Sequence, residues 1–361
     1  MNFYQTSATL NDGRTIRYFD FEPTKRDRVD LREKNSQIQI GEVRKDLLTS
    51  EWVTIAAHRQ DRLFLPPKEL CPLCPSTNEL LTEIPESDYQ VVVFDNKSPS
   101  FTNMDYSNSI DYSNSSIPAA GKSEVVCFTR SHEGSFGQLS LKQIELVLRV
   151  WKERVAELSK IEYIEQITPF ENRGEEVGVT LNHPHGQIYA YPFIPTKVEL
   201  EIEAAKQFFE RKKRNLFDFI IEREIDNQSR VVSENEDWIA FVPYAARYPF
   251  EVHIAPKSRK PDLSQLSENQ LTNFAPIAKI IFQKLDGLFN LPMPYISAWH
   301  QAPTKIARDL LGVHLQITPF RRTATKLKYL AGSESAMGAF IMDNSPEYCA
   351  QLLKEVKVEI E

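Results

Sequence analysis

The residues best suited to chemistry lie in one short stretch, Asn182-His183-Pro184-His185-Gly186-Gln187-Ile188. Two histidines separated by one residue point to the same side of a strand. The proline between them stiffens the backbone, and the glycine permits close approach to the main chain. Gln187 adds a neutral donor and acceptor on the side of both histidines. The combination favours a reactive site over two histidines that serve only a structural role in the core.

Two cysteines and two histidines in the first half of the chain have the composition of a zinc site. Cys71 and Cys74 form a C-x-x-C pair, and His132 and His183 follow at wide spacings. Two thiolates and two imidazoles make a tetrahedral donor set, and four protein ligands leave no position open for substrate. The pattern predicts a structural zinc ion that ties a loop to two core strands. The alternative is a C-x-x-C pair on a turn that binds nothing.

His185 remains free for catalysis if His183 binds metal. Imidazole is a good nucleophile toward phosphorus and a good leaving group near neutral pH. Gln187 could hydrogen-bond a phosphoryl oxygen without supplying a proton, which favours a covalent nucleotidyl intermediate over its hydrolysis. We therefore predict nucleotidyl transfer, with His185 as the nucleophile and Gln187 beside it.

The elements that must position these residues recur along the chain. Strand-like runs and a helix with a periodic apolar face over 140–161 precede the reactive stretch. Similar strands and a helix over 267–289 return later, and His314-Leu315-Gln316-Ile317 repeats the His-x-Gln-Ile of 185–188. The pattern predicts an α+β fold that duplicates one unit.

The expected division of the chain follows from this repeat. An N-terminal extension, packed on the outside, is expected over 1–40, although residues 15–19 have a strand-like pattern. The first half, with the active site and the zinc, is expected over 41–196, and the second, degenerate half over 197–361. The second half is expected to open with one long charged helix over 197–224.

Composition limits the class of protein. The chain has 361 residues, 41% hydrophobic and 26% charged, as in ordinary globular proteins. A formal net charge of −7 argues against a nucleic-acid-coating surface. The chain contains no apolar run long enough for a membrane span, and residues 1–5 do not resemble a secretion signal. A cytoplasmic location with reduced cysteines is therefore expected.

The stretch 182–188 resembles the active-site signature of galactose-1-phosphate uridylyltransferases, a branch of the histidine triad superfamily. The resemblance runs from about residue 42 to 358 and leaves residues 1–40 outside. It implies an antiparallel sheet, in half-barrel form, with flanking helices. It also rests on His58-Arg59-x-x-Arg62, the Cys71/Cys74 pair, Phe170-Glu171-Asn172-x-Gly174, Trp299-His300-x-Ala302-Pro303 and Lys328-Tyr329-Leu330-Ala331-Gly332-Ser333-Glu334.

The resemblance implies a ping-pong reaction. UDP-glucose and galactose 1-phosphate would give glucose 1-phosphate and UDP-galactose through a uridylyl-histidine on His185. Gln187 stands in the place of the third triad histidine of the hydrolase branch. The substrate contacts that the resemblance implies are Asn172 and Thr180 near the phosphates, Phe94 and Asn96 near the nucleoside, Arg59 and Arg62 from across a homodimer interface, and Lys328 and Glu334 on the sugar side.

A second metal site is also implied by the resemblance. The family uses one glutamate and three histidines there, and Glu201, His300 and His314 match three of the four positions. Gln316 stands at the last position, and a neutral amide is a poorer ligand than imidazole for zinc or iron. We therefore expect this site to be weaker than the first. The alternative is that Glu201 belongs to a solvated acidic helix face.

Two other functions remain open from the sequence. One is a related enzyme that uses another sugar 1-phosphate or an adenine nucleotide, including an ADP-sugar phosphorylase. The other is a nucleotide-binding protein without turnover. The expected partners in the leading interpretation are a UDP-sugar, a sugar 1-phosphate and a second copy of the chain, without nucleic acid or membrane.

Overall fold

The computed structural model describes residues 3–34, 40–60, 65–104 and 115–358. Within these ranges the protein has the predicted α+β class, with helices around a large antiparallel sheet. The strands are β1 (Tyr4–Thr9), β2 (Thr15–Asp20), β3 (Glu42–Lys45), β4 (Trp52–Ile55), β5 (Val91–Asp95), β6 (Ser116–Pro118), β7 (Lys122–Cys127), β8 (Gln166–Arg173), β9 (His185–Tyr191), β10 (Val231–Glu234), β11 (Trp238–Phe241), β12 (Val252–Pro256), β13 (Tyr295–His300), β14 (His314–Pro319), β15 (Arg321–Thr323) and β16 (Lys326–Leu327). The helices are α1 (Leu141–Leu158), α2 (Thr196–Lys212), α3 (Leu216–Asn227), α4 (Glu268–Gly287), α5 (Gly332–Met337) and α6 (Pro346–Glu355).

The order of strands in the main sheet shows the duplication. Eleven described strands run β1-β2-β5-β7-β9-β8-β13-β14-β12-β11-β10, and every neighbouring pair is antiparallel. Outward from the central β8–β13 pair, the first half reads β8-β9-β7-β5 and the second reads β13-β14-β12-β11. Helix α1 between β7 and β8 corresponds to α4 between β12 and β13. The two halves therefore repeat one unit and join through a single pair of strands, which we call the seam.

A common hydrophobic core lies beneath the seam. Helices α1 and α4 contact each other, and the buried apolar residues of both belong to one cluster with the sheet. Trp151 of α1 lies edge-on to Trp299 of β13, with ring centroids 6.1 Å apart, and Trp299 meets Trp238 of β11 at 6.3 Å. Burial of such large aromatic side chains stabilises the packing of one half on the other.

Helix α1 begins where the sequence predicts it, and Ser140 caps it. The Ser140 hydroxyl accepts from the Gln143 amide at 3.2 Å. The Gln143 side chain turns inward, and its Nε2 donates to the carbonyls of Gln90 and Phe128, each at 2.7 Å. The glutamine thus ties the helix to the ends of two strands.

The N-terminal segment is more closely integrated than the expected outer extension. Strand β2 pairs with β5, and β1 forms the edge of the main sheet. Phe19 is fully buried in the core that includes α1. The long-range pairing of β2 with β5 places these residues inside the fold. Local composition does not predict such pairing, because strand formation depends on the neighbouring strands.

The long helix expected over 197–224 is two helices. Lys213 ends α2 in the left-handed conformation, with φ 54°. Asn215 then caps α3, since its side-chain oxygen accepts from the amides of Phe217 and Asp218 at 2.7 and 3.2 Å. Among the described residues, no helix combines the length and apolar character needed to cross a bilayer.

Candidate active site and metal centre

The four predicted metal ligands converge in space. Cys71 and Cys74 lie on the turn after a short 3-10 helix, His132 follows β7, and His183 comes just before β9. One ligand atom from each lies within 4.8 Å of all the others. The Cys74 Sγ is 3.4 Å from the His132 Nδ1 and 3.6 Å from the His183 Nδ1. The cluster therefore joins a loop to the segment after β7 and the segment before β9, and these two strands are neighbours in the sheet.

The chemistry of this donor set fits a metal ion. Burial, with the neighbouring Cys71, raises the pKa of the Cys74 thiol to about 12, and burial lowers the pKa of His183 to about 4. The His183 imidazole is thus neutral and can bind a metal, whereas a metal must displace the thiol protons. His183 Nε2–H donates to the Thr129 carbonyl at 2.8 Å, which turns its Nδ1 toward the thiols. These four residues form a group that can hold one metal ion.

His185 is the first residue of β9 and carries a defined tautomer. Its Nδ1 lies 2.7 Å from the carbonyl oxygen of His183, so the ring donates there and leaves a lone pair on Nε2. Burial lowers the pKa of His185, which favours the neutral ring. A neutral imidazole with a free nitrogen can attack an electrophile.

Three cavities meet at His185. The Phe94 cavity, about 250 Å³, also contains Asn96, Val125 and Gln187 in its wall. The Arg59 cavity, about 320 Å³, is lined by Phe170, Asn172 and Gln187, and it shares Thr180 with the first. The third cavity, about 200 Å³, lies toward His183 and Asn172. An elongated ligand that spans the first two cavities would therefore present its middle to the imidazole.

Two family models together match nearly the whole chain. The N-terminal domain of galactose-1-phosphate uridyl transferase matches residues 24–195, and the C-terminal domain matches residues 201–360. The chain belongs to the galactose-1-phosphate uridylyltransferase family. The match extends further toward the N-terminus than the resemblance over 42–358 indicated.

Individual relatives of this chain support the same assignment to the uridylyltransferase family. A galactose-1-phosphate uridylyltransferase of Streptomyces lividans is 38% identical over 98% of both chains. One from Thermotoga maritima is 36% identical over 88% of this chain and 99% of its own. A solved structure described as a uridylyltransferase superposes with a TM-score of 0.76 at 32% identity, covering 87% of this chain and 98% of that one.

The structure brings most of the predicted substrate residues of this family member around His185. Phe94, Asn96, Asn172 and Thr180 all line the cavities described above. The Asn96 side-chain amide lies 3.5 Å from the Gln187 Oε1, so the two amides are neighbours across β5, β7 and β9. These positions stay predictions as binding residues, but they share one site.

Arg59 lies beside the histidine of its own chain. Its guanidinium donates to the Ser98 carbonyl at 2.9 Å and to the Ser100 hydroxyl at 2.7 Å, and it lines the cavity next to His185. A contribution from across a dimer interface is therefore not needed to bring this arginine to the site. Arg62, the other predicted arginine, lies outside the described residues.

Lys328 and Glu334 are not among the residues that line the three cavities. They form an ion pair with each other and are both buried. Backbone amides of Ala331 and Ile341 also donate to Glu334 and, with Lys328, lower its pKa to about 2. Within one chain, this pair holds the shape of the loop around α5.

His183 and His185 do not share a strand, contrary to the sequence argument. Strand β9 starts at His185, and His183 lies in the bend before Pro184. Proline has no amide hydrogen, so the ladder cannot extend through it, and the Pro184 carbonyl instead accepts from the Phe128 amide at 3.1 Å. The bend lets one histidine serve the metal cluster while the other faces the cavities.

Two features near the site had no role in the sequence argument. The Thr129 carbonyl that orients His183 is a backbone group, which no side-chain pattern reveals. Glu171 is buried beside the seam, where burial raises its pKa to about 7 and the Tyr295 hydroxyl donates to it at 2.9 Å. Its signal was its place in the Phe170-Glu171-Asn172 motif.

Proposed function

We propose that this protein transfers a uridylyl group from UDP-glucose to galactose 1-phosphate through a covalent intermediate on His185. The observation that carries the proposal is the His185 ring itself. Its Nδ1 donates to the His183 carbonyl, its Nε2 is unprotonated, and it stands where cavities on both sides meet. Family membership supports the choice of substrates.

The first half-reaction forms a phosphorus–nitrogen bond. The His185 Nε2 attacks the α-phosphorus of UDP-glucose, the bond from that phosphorus to the bridging oxygen breaks, and glucose 1-phosphate leaves with the electron pair. The Nδ1–H bond to the His183 carbonyl holds the ring and spreads the positive charge that develops on it. Arg59 lines the cavity on this path and offers a fixed positive charge near the phosphates.

The second half-reaction reverses these bonds. A phosphate oxygen of galactose 1-phosphate attacks the same phosphorus, the phosphorus–nitrogen bond breaks, and the imidazole regains its lone pair. Gln187 is next to His185 and cannot take a proton from water, because its amide is not a base. We assign it the role of holding a phosphoryl oxygen of the intermediate, while the sugar phosphate, rather than water, accepts the uridylyl group.

The binding roles follow the shape of the site. Phe94 and Asn96 are proposed to hold the nucleoside in the Phe94 cavity, where Lys97 also contributes to the wall. Asn172 and Thr180 are proposed to contact the phosphates, since they line the Arg59 cavity. Lys328 and Glu334 lie off these cavities, so a sugar contact from their loop would need a second copy of the chain. We therefore propose a homodimer.

Zinc is the proposed occupant of the Cys71, Cys74, His132 and His183 cluster. Two thiolates with two imidazoles suit zinc, and four protein ligands give it a structural role rather than a catalytic one. The cysteines must be reduced to bind it, and all four thiols of the chain are free. A reducing compartment such as the cytoplasm meets this requirement.

Adduct formation tests the proposal. Protein is incubated with UDP-glucose labelled in the α-phosphate, denatured, and analysed for acid-labile label on the polypeptide. The wild type is expected to carry label, and His185→Ala none. The matched control is His314→Gln, which removes the corresponding histidine of the second half and should leave the adduct intact in folded protein.

Three outcomes would contradict the proposal. Labelling of His185→Ala would place the nucleophile elsewhere. Labelling of the wild type by ADP-glucose but not by UDP-glucose would change the nucleotide and favour a related nucleotidyltransferase or phosphorylase. Tight binding of UDP-glucose without any adduct would make the protein a nucleotide-binding protein without turnover.

A further inference from the structure

The second half carries a lysine among the residues that match the family's second metal site. Lys197 lies in the first turn of α2, and Glu201 follows one turn later on the same helix face. The Lys197 Nζ is 2.6 Å from the Gln316 Oε1 and 3.4 Å from the His300 Nε2. Two of the side chains expected to face a metal therefore face an ammonium group.

His300 has both of its ring nitrogens engaged in this arrangement. The ammonium lies on its Nε2 side, while its Nδ1 lies 3.5 Å from a carboxylate oxygen of Glu201. An ammonium has only donors, and a carboxylate only accepts, so the ring accepts from Lys197 and donates to Glu201. A metal bound at Nε2 would have to take the position of the ammonium.

Gln316 is held in the orientation that suits a lysine. Its Nε2 donates to Glu251 at 2.6 Å, so its carbonyl oxygen must turn to Lys197. Glu251 is buried and also accepts from the Arg247 amide at 2.7 Å, while the His253 ring lies 3.2 Å from its other oxygen. The amide therefore connects a buried carboxylate to the ammonium, a role that an imidazole at this position would not fill in the same way.

The remaining candidate ligand, His314, does not converge with the other two. His314 donates from Nδ1 to the Gly312 carbonyl at 3.2 Å and stacks on His300, with ring centroids 5.0 Å apart. Among the described residues, three or more ligand atoms converge at the first cluster, whereas those of Glu201, His300 and His314 do not. These residues therefore do not fit the second metal ion that the family resemblance implies.

We infer that the ε-ammonium of Lys197 replaces the second metal ion as the cation at this site. Its positive charge interacts electrostatically with the Glu201 and Glu251 carboxylates, and it hydrogen-bonds to His300 and Gln316. The chain then holds one metal ion, at the cysteine-containing cluster. This substitution is independent of the transfer chemistry proposed for the first half.

Metal analysis of purified protein tests the inference directly. Wild type is incubated with excess zinc or ferrous iron, desalted, and measured for metal per folded chain. One ion per chain is expected for the wild type and for a Lys206→Met/Gln316→His control, since Lys206 is exposed on the same helix, as Lys197 is, but lies more than two turns away from it. Two ions are expected for Lys197→Met/Gln316→His, which removes the ammonium and restores an imidazole.

A stability measurement supports the test if the double variant folds poorly. Lys197→Met alone is expected to lower the thermal midpoint below that of both the wild type and Lys206→Met, because two carboxylates lose their common cation. Two tightly held ions in the wild type would overturn the inference. It would equally be overturned if Lys197→Met and Lys206→Met had the same midpoint, or if the Lys206 control took up a second ion.

Discussion

Gly186 offers a direct test of how closely the strands must pack to place His185. It follows His185 on β9, and a methyl group at its α-carbon would lie 2.7 Å from the Phe170 carbonyl oxygen. The same methyl would lie 2.8 Å from the Cζ of Phe128. The close approach that the sequence predicted at this glycine is thus made by the protein itself, through a ring and a carbonyl.

Neither neighbour can move away easily. Phe170 is in the ladder between β8 and β9, and the fully buried Phe128 packs edge-on against Phe136 and Trp151 at 5.4 and 5.7 Å. Both contacts fall about 0.7 Å short of ordinary van der Waals separation. Overpacking of this kind costs about 1–3 kcal/mol. A displacement of His185 approaching 1 Å lowers the rate of chemistry by up to about 10²-fold.

The assay compares Gly186→Ala with wild type in two measurements. Urea unfolding gives the loss of stability, and single-turnover formation of the labelled adduct gives the rate of the first half-reaction. Gly332→Ala is the matched control, because a methyl group there meets no atom within 4 Å and the backbone is not left-handed. It should stay within about 0.5 kcal/mol of wild type.

Wild-type stability together with a wild-type rate in Gly186→Ala would contradict this prediction, because β8, β9 and Phe128 would then have room for the added methyl group. A loss of stability with an unchanged rate would show that the strands yield without moving the imidazole.

Three further predictions concern the metal, the acceptor and pH. Cys74→Ser should lower metal content and the thermal midpoint together, because metal binding is coupled to folding, whereas Cys349→Ser should keep its metal; full zinc occupancy in Cys74→Ser would contradict the four-ligand site. Gln187→His should increase UMP release in the absence of sugar phosphate, because an imidazole can activate water; unchanged transfer and hydrolysis would assign Gln187 another role. The pKa of Glu171, about 7, lies above its ordinary value of 4.5, so the wild type loses stability as pH rises through this interval. Glu171→Gln should therefore gain stability relative to wild type by roughly 3 kcal/mol between pH 4.5 and pH above 7, and a pH-independent difference in urea unfolding would refute the assignment.

The sequence predicted the parts of the fold that have local signals. Helices α1 and α4 carry periodic apolar faces and serine caps, and both form where expected. The metal cluster could be predicted from residue types alone, because two cysteines with two histidines make one of the common structural zinc donor sets. The fold then brings together ligands that are separated by 58 residues from Cys74 to His132 and by 51 more to His183.

The incorrect predictions arise where long-range strand pairing or a single backbone angle determines the structure. Strand β13 forms half of the seam but has a weak local signal, because its six residues lie in a segment rich in prolines. The break between α2 and α3 at Lys213 lies in a run of charged residues without glycine or proline, so no local residue indicates it. Lys197 has no local signal beyond its spacing of four from Glu201, because only the fold places Gln316 of β14 opposite it.

The seam gives the chain the character of a dimer that has been fused into one polypeptide. Strands β8 and β13 pair antiparallel, so each half presents the other with the same kind of edge. A cut in the connection between β9 and α2 would separate the two units, and each would expose an unpaired edge strand and half of the common core. Such edges pair readily with matching strands. Co-produced fragments should therefore complement each other into one active particle, whereas either fragment made alone should self-associate. Connectivity, rather than strand pairing, is what distinguishes this single chain from a two-subunit assembly.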